Sequence, residues 1–111
     1  MDRPDVRYAR ASDGAYIAYQ AFGAGRWDIV FVPGQYTHLD LMWDSPQEVA
    51  WFRRLATLGR VIMLDLRGIG LSDRFAPGQA PPIEVLVEDL GAVLDAAGAT
   101  RPILFGTASG A

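Results

Sequence analysis

Apolar positions along the chain fall into two periodicities. Three short runs are continuously apolar: Ile29-Val30-Phe31-Val32, Val61-Ile62-Met63-Leu64 and Pro102-Ile103-Leu104-Phe105. Strands buried on both faces of a parallel sheet read this way. Between them, helical spacing takes over. Val49, Phe52 and Ala56 recur on one face, widened by Trp51, Leu55 and Leu58; Ile83, Leu86, Val87, Leu90, Val93, Leu94 and Ala97 form a longer stripe. Ahead of the first run, residues 6–11 and 15–21 read as two strands joined at Ser12-Asp13-Gly14, a hairpin signal. Residues 1–5 are a polar lead-in.

Punctuation supports the same elements. Ser45-Pro46-Gln47-Glu48 matches a capping box with proline at the first helical position, and Gly59 is the expected stop of that helix. Pro81-Pro82 opens the second helix, Glu84 suits its dipole, and Gly98 closes it. Glu84, Glu88 and Asp95 read as its solvated face. Residues 75–82 are irregular. The order is therefore hairpin, β, α, β, α, β, turn. Alternating β and α with apolar strands predicts a parallel sheet with crossover helices. The last strand is followed by six residues, which predicts an open apolar edge, with 1–111 the N-terminal piece of a larger α/β domain.

Composition narrows the function classes. The 111 residues are 50% hydrophobic and 21% charged, which excludes a disordered or fibrous chain. There is no cysteine, so disulfides and thiolate chemistry are excluded, in keeping with a cytoplasmic setting. The net charge is −3 and the basic residues are scattered arginines, so no nucleic-acid partner is expected for this segment. No apolar run approaches the ~20 residues of a membrane span. His38 is the single histidine and has no partner at metal-ligand spacing, so no metal and no cofactor are expected.

The candidate chemistry lies in three loops at the C-terminal ends of the apolar strands, where open α/β sheets bind ligands. They are Pro33-Gly34-Gln35-Tyr36, Asp65-Leu66-Arg67-Gly68-Ile69-Gly70-Leu71-Ser72 and Gly106-Thr107-Ala108-Ser109-Gly110. The middle loop is glycine-rich, but no lysine follows as a phosphate-binding P-loop requires.

In these loops, and in their order and spacing, the chain resembles the first part of an α/β-hydrolase. The D-x-R-G-x-G-x-S pattern is matched from Asp65 to Ser72, and the final turn stands at the G-x-S-x-G nucleophile elbow. VPGQYTHLDLMWD and RVIMLDLRGIGLSDR resemble a bacterial subgroup often joined to nucleotide cyclase or regulatory DNA-binding domains. The resemblance covers residues 7–111 and, with right-handed crossovers, implies that the run at 28–32 lies between the other two and the hairpin at one edge. It implies a carboxylic ester or related acyl ligand, a serine nucleophile with a histidine base and an acid partner, and an oxyanion hole of backbone amides.

The match departs at the decisive position. Where the family has the nucleophilic serine this chain has Ala108, through either an engineered substitution or a natural loss. Ser109 stands one residue late, and its place implies an oxyanion-hole amide rather than a nucleophile. The second amide falls to Gln35, after Pro33-Gly34 where the family has His-Gly. Asp65, Arg67, Gly68, Gly70 and Ser72 take a structural role, Asp65 and Arg67 bracing neighbouring loops. Tyr36, His38 and Trp43 are candidate substrate contacts. The family's base and acid come later in the sequence, so the rest of the hydrolase domain is expected beyond Ala111. An alternative of another class is a non-catalytic domain that senses a small molecule and regulates an attached module. Aspartate-nucleophile hydrolases of epoxides or haloalkanes are disfavoured, because Ala108 is no carboxylate.

Overall fold

A computed structural model describes residues 3–34, 37–76, 78 and 82–106. Five strands form one sheet: β1 (Arg7–Arg10), β2 (Tyr16–Phe22), β3 (Asp28–Val32), β4 (Arg60–Leu64) and β5 (Pro102–Gly106). Two helices, α1 (Pro46–Ala56) and α2 (Ile83–Ala97), cross between the parallel strands, and a short 3₁₀ turn (Leu41–Asp44) precedes α1. The spatial order is β1-β2-β4-β3-β5. β3 pairs in parallel with β4 and with β5, and the hairpin is at the opposite edge. This is the arrangement expected from the sequence. β2 runs antiparallel to β4, which makes the sheet mixed.

The two-residue strand period sorts side chains onto two layers. Val61 and Met63 of β4 join Ala18, Phe22, Trp43, Phe52 and Leu55 under α1. Ile62 and Leu64 face the other way, with Ile17, Tyr19, Val30 and Val93 beneath α2. β4 is therefore buried on both faces, as its continuous apolar run requires. Tertiary packing narrows both helical stripes: Trp51 and Leu58 at the first helix, and Ile83 and Val87 on α2, are exposed.

Helix ends depart from the sequence pattern in two places. The Ser45 hydroxyl accepts from the Glu48 amide at 3.4 Å, but the Ser45 amide donates to the Met42 carbonyl, so half of the capping box forms. The 3₁₀ turn supplies that carbonyl. Gly59 is not the cap of α1, which ends at Thr57 in a right-handed conformation. A Cβ on Gly59 would stand 2.4 Å from the Trp27 carbonyl oxygen, so glycine there admits a close backbone approach. Gly98 does adopt the left-handed cap conformation of α2, with its amide bonded to the Asp95 and Leu94 carbonyls. Pro82 precedes α2 in an extended conformation; Pro81 is outside the described residues.

β5 contrasts with the other parallel strands. Among the described strands it pairs with β3 alone, and Ile103, Leu104 and Phe105 are 48%, 58% and 41% exposed. Phe105 meets Phe31 and Trp51 with ring centroids 5.6 and 6.2 Å apart. Beside it lies an apolar groove of about 480 Å³ lined by Trp27, Ile29, Leu55, Leu58, Ile103, Leu104 and Phe105.

Candidate active-site rim

Parallel pairing aligns the C-terminal ends of three strands. Phe31 is level with Met63, and Val32 is level with Gly106. The loops after β3, β4 and β5 consequently leave the sheet from one rim, with the β3 exit between the other two. Neighbouring strands are about 4.8 Å apart, so loops leaving β3 and β5 start within reach of a common ligand atom.

The loop after β4 is the best-braced part of this rim. Asp65 is fully buried. Its Oδ1 accepts from the Thr37 hydroxyl at 2.7 Å, and its Oδ2 accepts from the Leu39 and Leu71 amides at 3.2 and 2.9 Å. Ser72 donates its hydroxyl to the Asp65 carbonyl at 2.6 Å and accepts from the Ala18 amide at 2.8 Å, tying the loop to β2. Gly68 and Gly70 have φ of 87° and 54°. A Cβ at Gly70 would lie 2.1 Å from Asp65 Oδ2, so glycine is needed there both for its backbone angle and to make room for the carboxylate.

Arg67 secures the other side of the loop. Its guanidinium donates to Asp89 at 2.8 and 2.7 Å, and to Asp13 at 2.6 and 3.1 Å. The Phe75 ring lies 5.7 Å from the guanidinium carbon. The hydrogen bond to Asp13, then that to Asp89, raises the arginine pKa above its ordinary value against the opposing effect of burial. In turn Arg67, and secondarily the Ala15 amide, holds the Asp13 carboxyl down to about 2. This one arginine therefore fastens the hairpin turn and α2 to the loop.

Asp89 and Gln20 are two of the buried polar residues whose importance the sequence reading missed. Both carried a signal. Asp89 sits three residues after Leu86 and four before Val93, on the apolar stripe itself, where a carboxylate needs a buried partner. Gln20 alternates with Ala18 and Phe22 on the inward face of β2. Its side chain accepts from the Trp43 indole at 3.0 Å and donates to the Pro4 carbonyl at 3.0 Å.

Of the candidate substrate contacts, Trp43 is buried against Phe22 and Phe52, with its single polar atom bonded to Gln20. That places it in the core beneath α1. His38 is partly exposed, and its Nδ1 accepts from the Leu41 amide at 3.1 Å. Gln35, Tyr36, Ala108 and Ser109 are outside the described residues. Among the described residues, no group of three or more potential ligands could hold a metal ion, and no helix is long and apolar enough to cross a membrane.

No family model and no curated protein matches the chain. Solved structures do. The bottromycin epimerase BotH, in complex with bottromycin A2, is 30% identical with a TM-score of 0.77, over 96% of this chain and 40% of its own. An α/β-hydrolase from Novosphingobium aromaticivorans is 27% identical with a TM-score of 0.79, over 99% of this chain and 37% of its own. A hydrolase from Pseudomonas aeruginosa is 29% identical with a TM-score of 0.79, over 98% and 38% respectively. The described strands and helices are thus the N-terminal part of an α/β-hydrolase fold, and the chain spans about 40% or less of the length of these structures.

Proposed function

We propose that this chain is the scaffold half of a site for carboxylic esters or related acyl compounds. In this reading the amides of Gln35 and Ser109 form the oxyanion hole, and position 108 is the place of the nucleophile. The observation that carries it is the register of Val32 with Gly106, which sets Pro33-Gly34 and the start of the 106–110 turn on neighbouring parallel strands. Two amides that converge from such loops stabilise a developing oxyanion, each contributing about 3 kcal/mol in an active enzyme. The histidine base and its acid partner are assigned to polypeptide beyond residue 111. That polypeptide would also cover the exposed faces of β5.

The test uses the reading frame extended past codon 111 and a short-chain aryl ester. If the remaining triad is intact, Ala108→Ser raises hydrolysis by several orders of magnitude, because triad members act as a unit. The elbow alignment fails if Ser109→Ala abolishes an existing activity while Ala108→Ser changes nothing.

A second reading is a ligand-binding domain that performs no hydrolysis and regulates an attached module. Ala108, which offers no nucleophilic atom, favours it. Its link to the cyclase-associated subgroup rests on the sequence. Under this reading Ala108→Ser leaves ester hydrolysis at background, while an acyl ligand still raises the melting temperature.

A further inference from the structure

We propose that the cavity beneath the C-terminal end of α2 is a binding site for a phosphate group, free or carried by a small ester. It lies at the opposite end of the sheet from the candidate active-site rim and does not depend on the acyl-site reading.

The cavity encloses about 200 Å³ and is lined by Arg7, Tyr19, Ala21, Arg60, Ala96 and Ala97. The strand period explains how these residues meet. Ala9, Tyr19 and Ile62 face α2. Arg7 stands two residues before Ala9, and Arg60 two before Ile62, so both follow their strands onto that face. Arg7 is level with Tyr19, and Ala21 with Ile62. Three neighbouring strands thus bring two guanidiniums and a phenol to one cavity, and the small side chains of Ala96 and Ala97 leave the space open. Arg60 begins β4, about 13 Å of strand away from the rim.

The polar groups are donors in excess of acceptors. Arg60 donates its Nε to Asp28 Oδ1 at 2.8 Å, and Asp28 Oδ2 accepts from the Thr100 amide at 3.1 Å. That pair orients the guanidinium and leaves its two Nη groups without a partner among the described residues. Arg7 makes no ion pair among the described residues. Tyr19 is 6% exposed, yet its hydroxyl has no hydrogen-bond partner among them. No buried side-chain polar atom described there is left unsatisfied, so this hydroxyl opens onto the cavity. Two cations therefore answer to the single carboxylate of Asp28. A phosphate, with oxygens in several directions, suits two arginine forks and a hydroxyl that converge from different strands. The end of α2 does not take up these donors: its Leu94 and Asp95 carbonyls accept from the Ala99 and Gly98 amides. The cavity lies on the β1–β2 side of the sheet, and β5 leads away from the opposite edge.

The experiment labels the arginines of the 111-residue chain with ¹⁵N and follows their Nε–Hε resonances at constant ionic strength. Inorganic phosphate and glycerol 3-phosphate are titrated separately. Arg7 and Arg60 are expected to shift together and saturate with one midpoint, while the adjacent pair Arg53 and Arg54 on α1 shifts little. Tighter binding of the ester identifies a phosphomonoester ligand, and tighter binding of inorganic phosphate the free ion. Arg7→Gln is expected to raise the midpoint about tenfold and Tyr19→Phe about threefold, whereas Arg53→Gln leaves it unchanged. Urea midpoints of the variants are measured alongside; if Tyr19→Phe is destabilised, the exposed Arg7 decides. The proposal is overturned if all arginines shift alike without saturation, if acetate gives the same midpoint as phosphate, or if Arg7→Gln binds like the parent.

Discussion

Arg67 concentrates more of the fold's connectivity than any other charged side chain described. Its two carboxylate partners are unequal. Asp89 is 1% exposed at its side chain and Asp13 is 56% exposed, although each accepts two hydrogen bonds from Arg67. Asp89→Ala leaves a buried guanidinium half-compensated and is expected to cost about 3–5 kcal/mol, measured as a lower urea midpoint. Asp13→Asn is expected to cost much less at neutral pH, since water and salt screen its side of the pair. Its pH dependence has a definite sign. Arg67 lowers the Asp13 pKa from 3.8 to about 2, so the contribution is complete above 3.8 and is lost as the pH falls towards 2. Urea midpoints of the parent and Asp13→Asn should differ by a constant amount above pH 4 and converge towards pH 2. A difference that persisted at pH 2 would contradict this linkage.

Each element's existence follows from its own periodicity, but its boundaries are set by neighbours. α2 begins after Pro82 and stops at Gly98 as its punctuation requires. α1 starts at the proline after Ser45, yet its cap is weaker than the four-residue motif implies, because the 3₁₀ turn engages the Ser45 amide. Ser45→Ala is therefore expected near the low end of cap losses, about 0.5 kcal/mol. Gly59→Ala is expected to be worse, about 1–3 kcal/mol, because its Cβ would collide with the Trp27 backbone rather than with a flexible side chain. Thermal melts of the two variants rank the effects, and a milder loss for Gly59→Ala than for Ser45→Ala would overturn the assignment.

At the scale of the molecule, the sheet is covered unevenly. β4 is sealed between two helical layers, whereas β5 exposes apolar side chains on both faces and, among the described residues, has a paired strand on one edge only. Its sequence is that of an interior strand: it has no charge, and its single proline stands at the first position. The 111-residue chain is expected to self-associate and to bind a hydrophobic dye, and Leu104→Lys is expected to reduce both by charging the exposed strand. Light scattering after size exclusion measures this, and a monodisperse monomer with a sharp melt and no dye binding would contradict it.

The sequence by itself determined the element order and the parallel alignment of three strands; the hairpin's place at one edge followed from the resemblance to α/β-hydrolases. Continuous apolar runs, helical stripes and turn residues are local signals, and connection rules leave few ways to join them. The sequence also placed three loops at one rim, because strand direction follows from connectivity. Tertiary structure alone decided which partners these polar residues meet. That Asp65 takes its donors from Thr37 and Leu39, that Arg67 reaches both Asp13 and Asp89, and that Trp43 turns inward to Gln20 all depend on residues 22 to 54 positions apart. Such pairings are set by how the layers pack, and short-range patterning does not encode them.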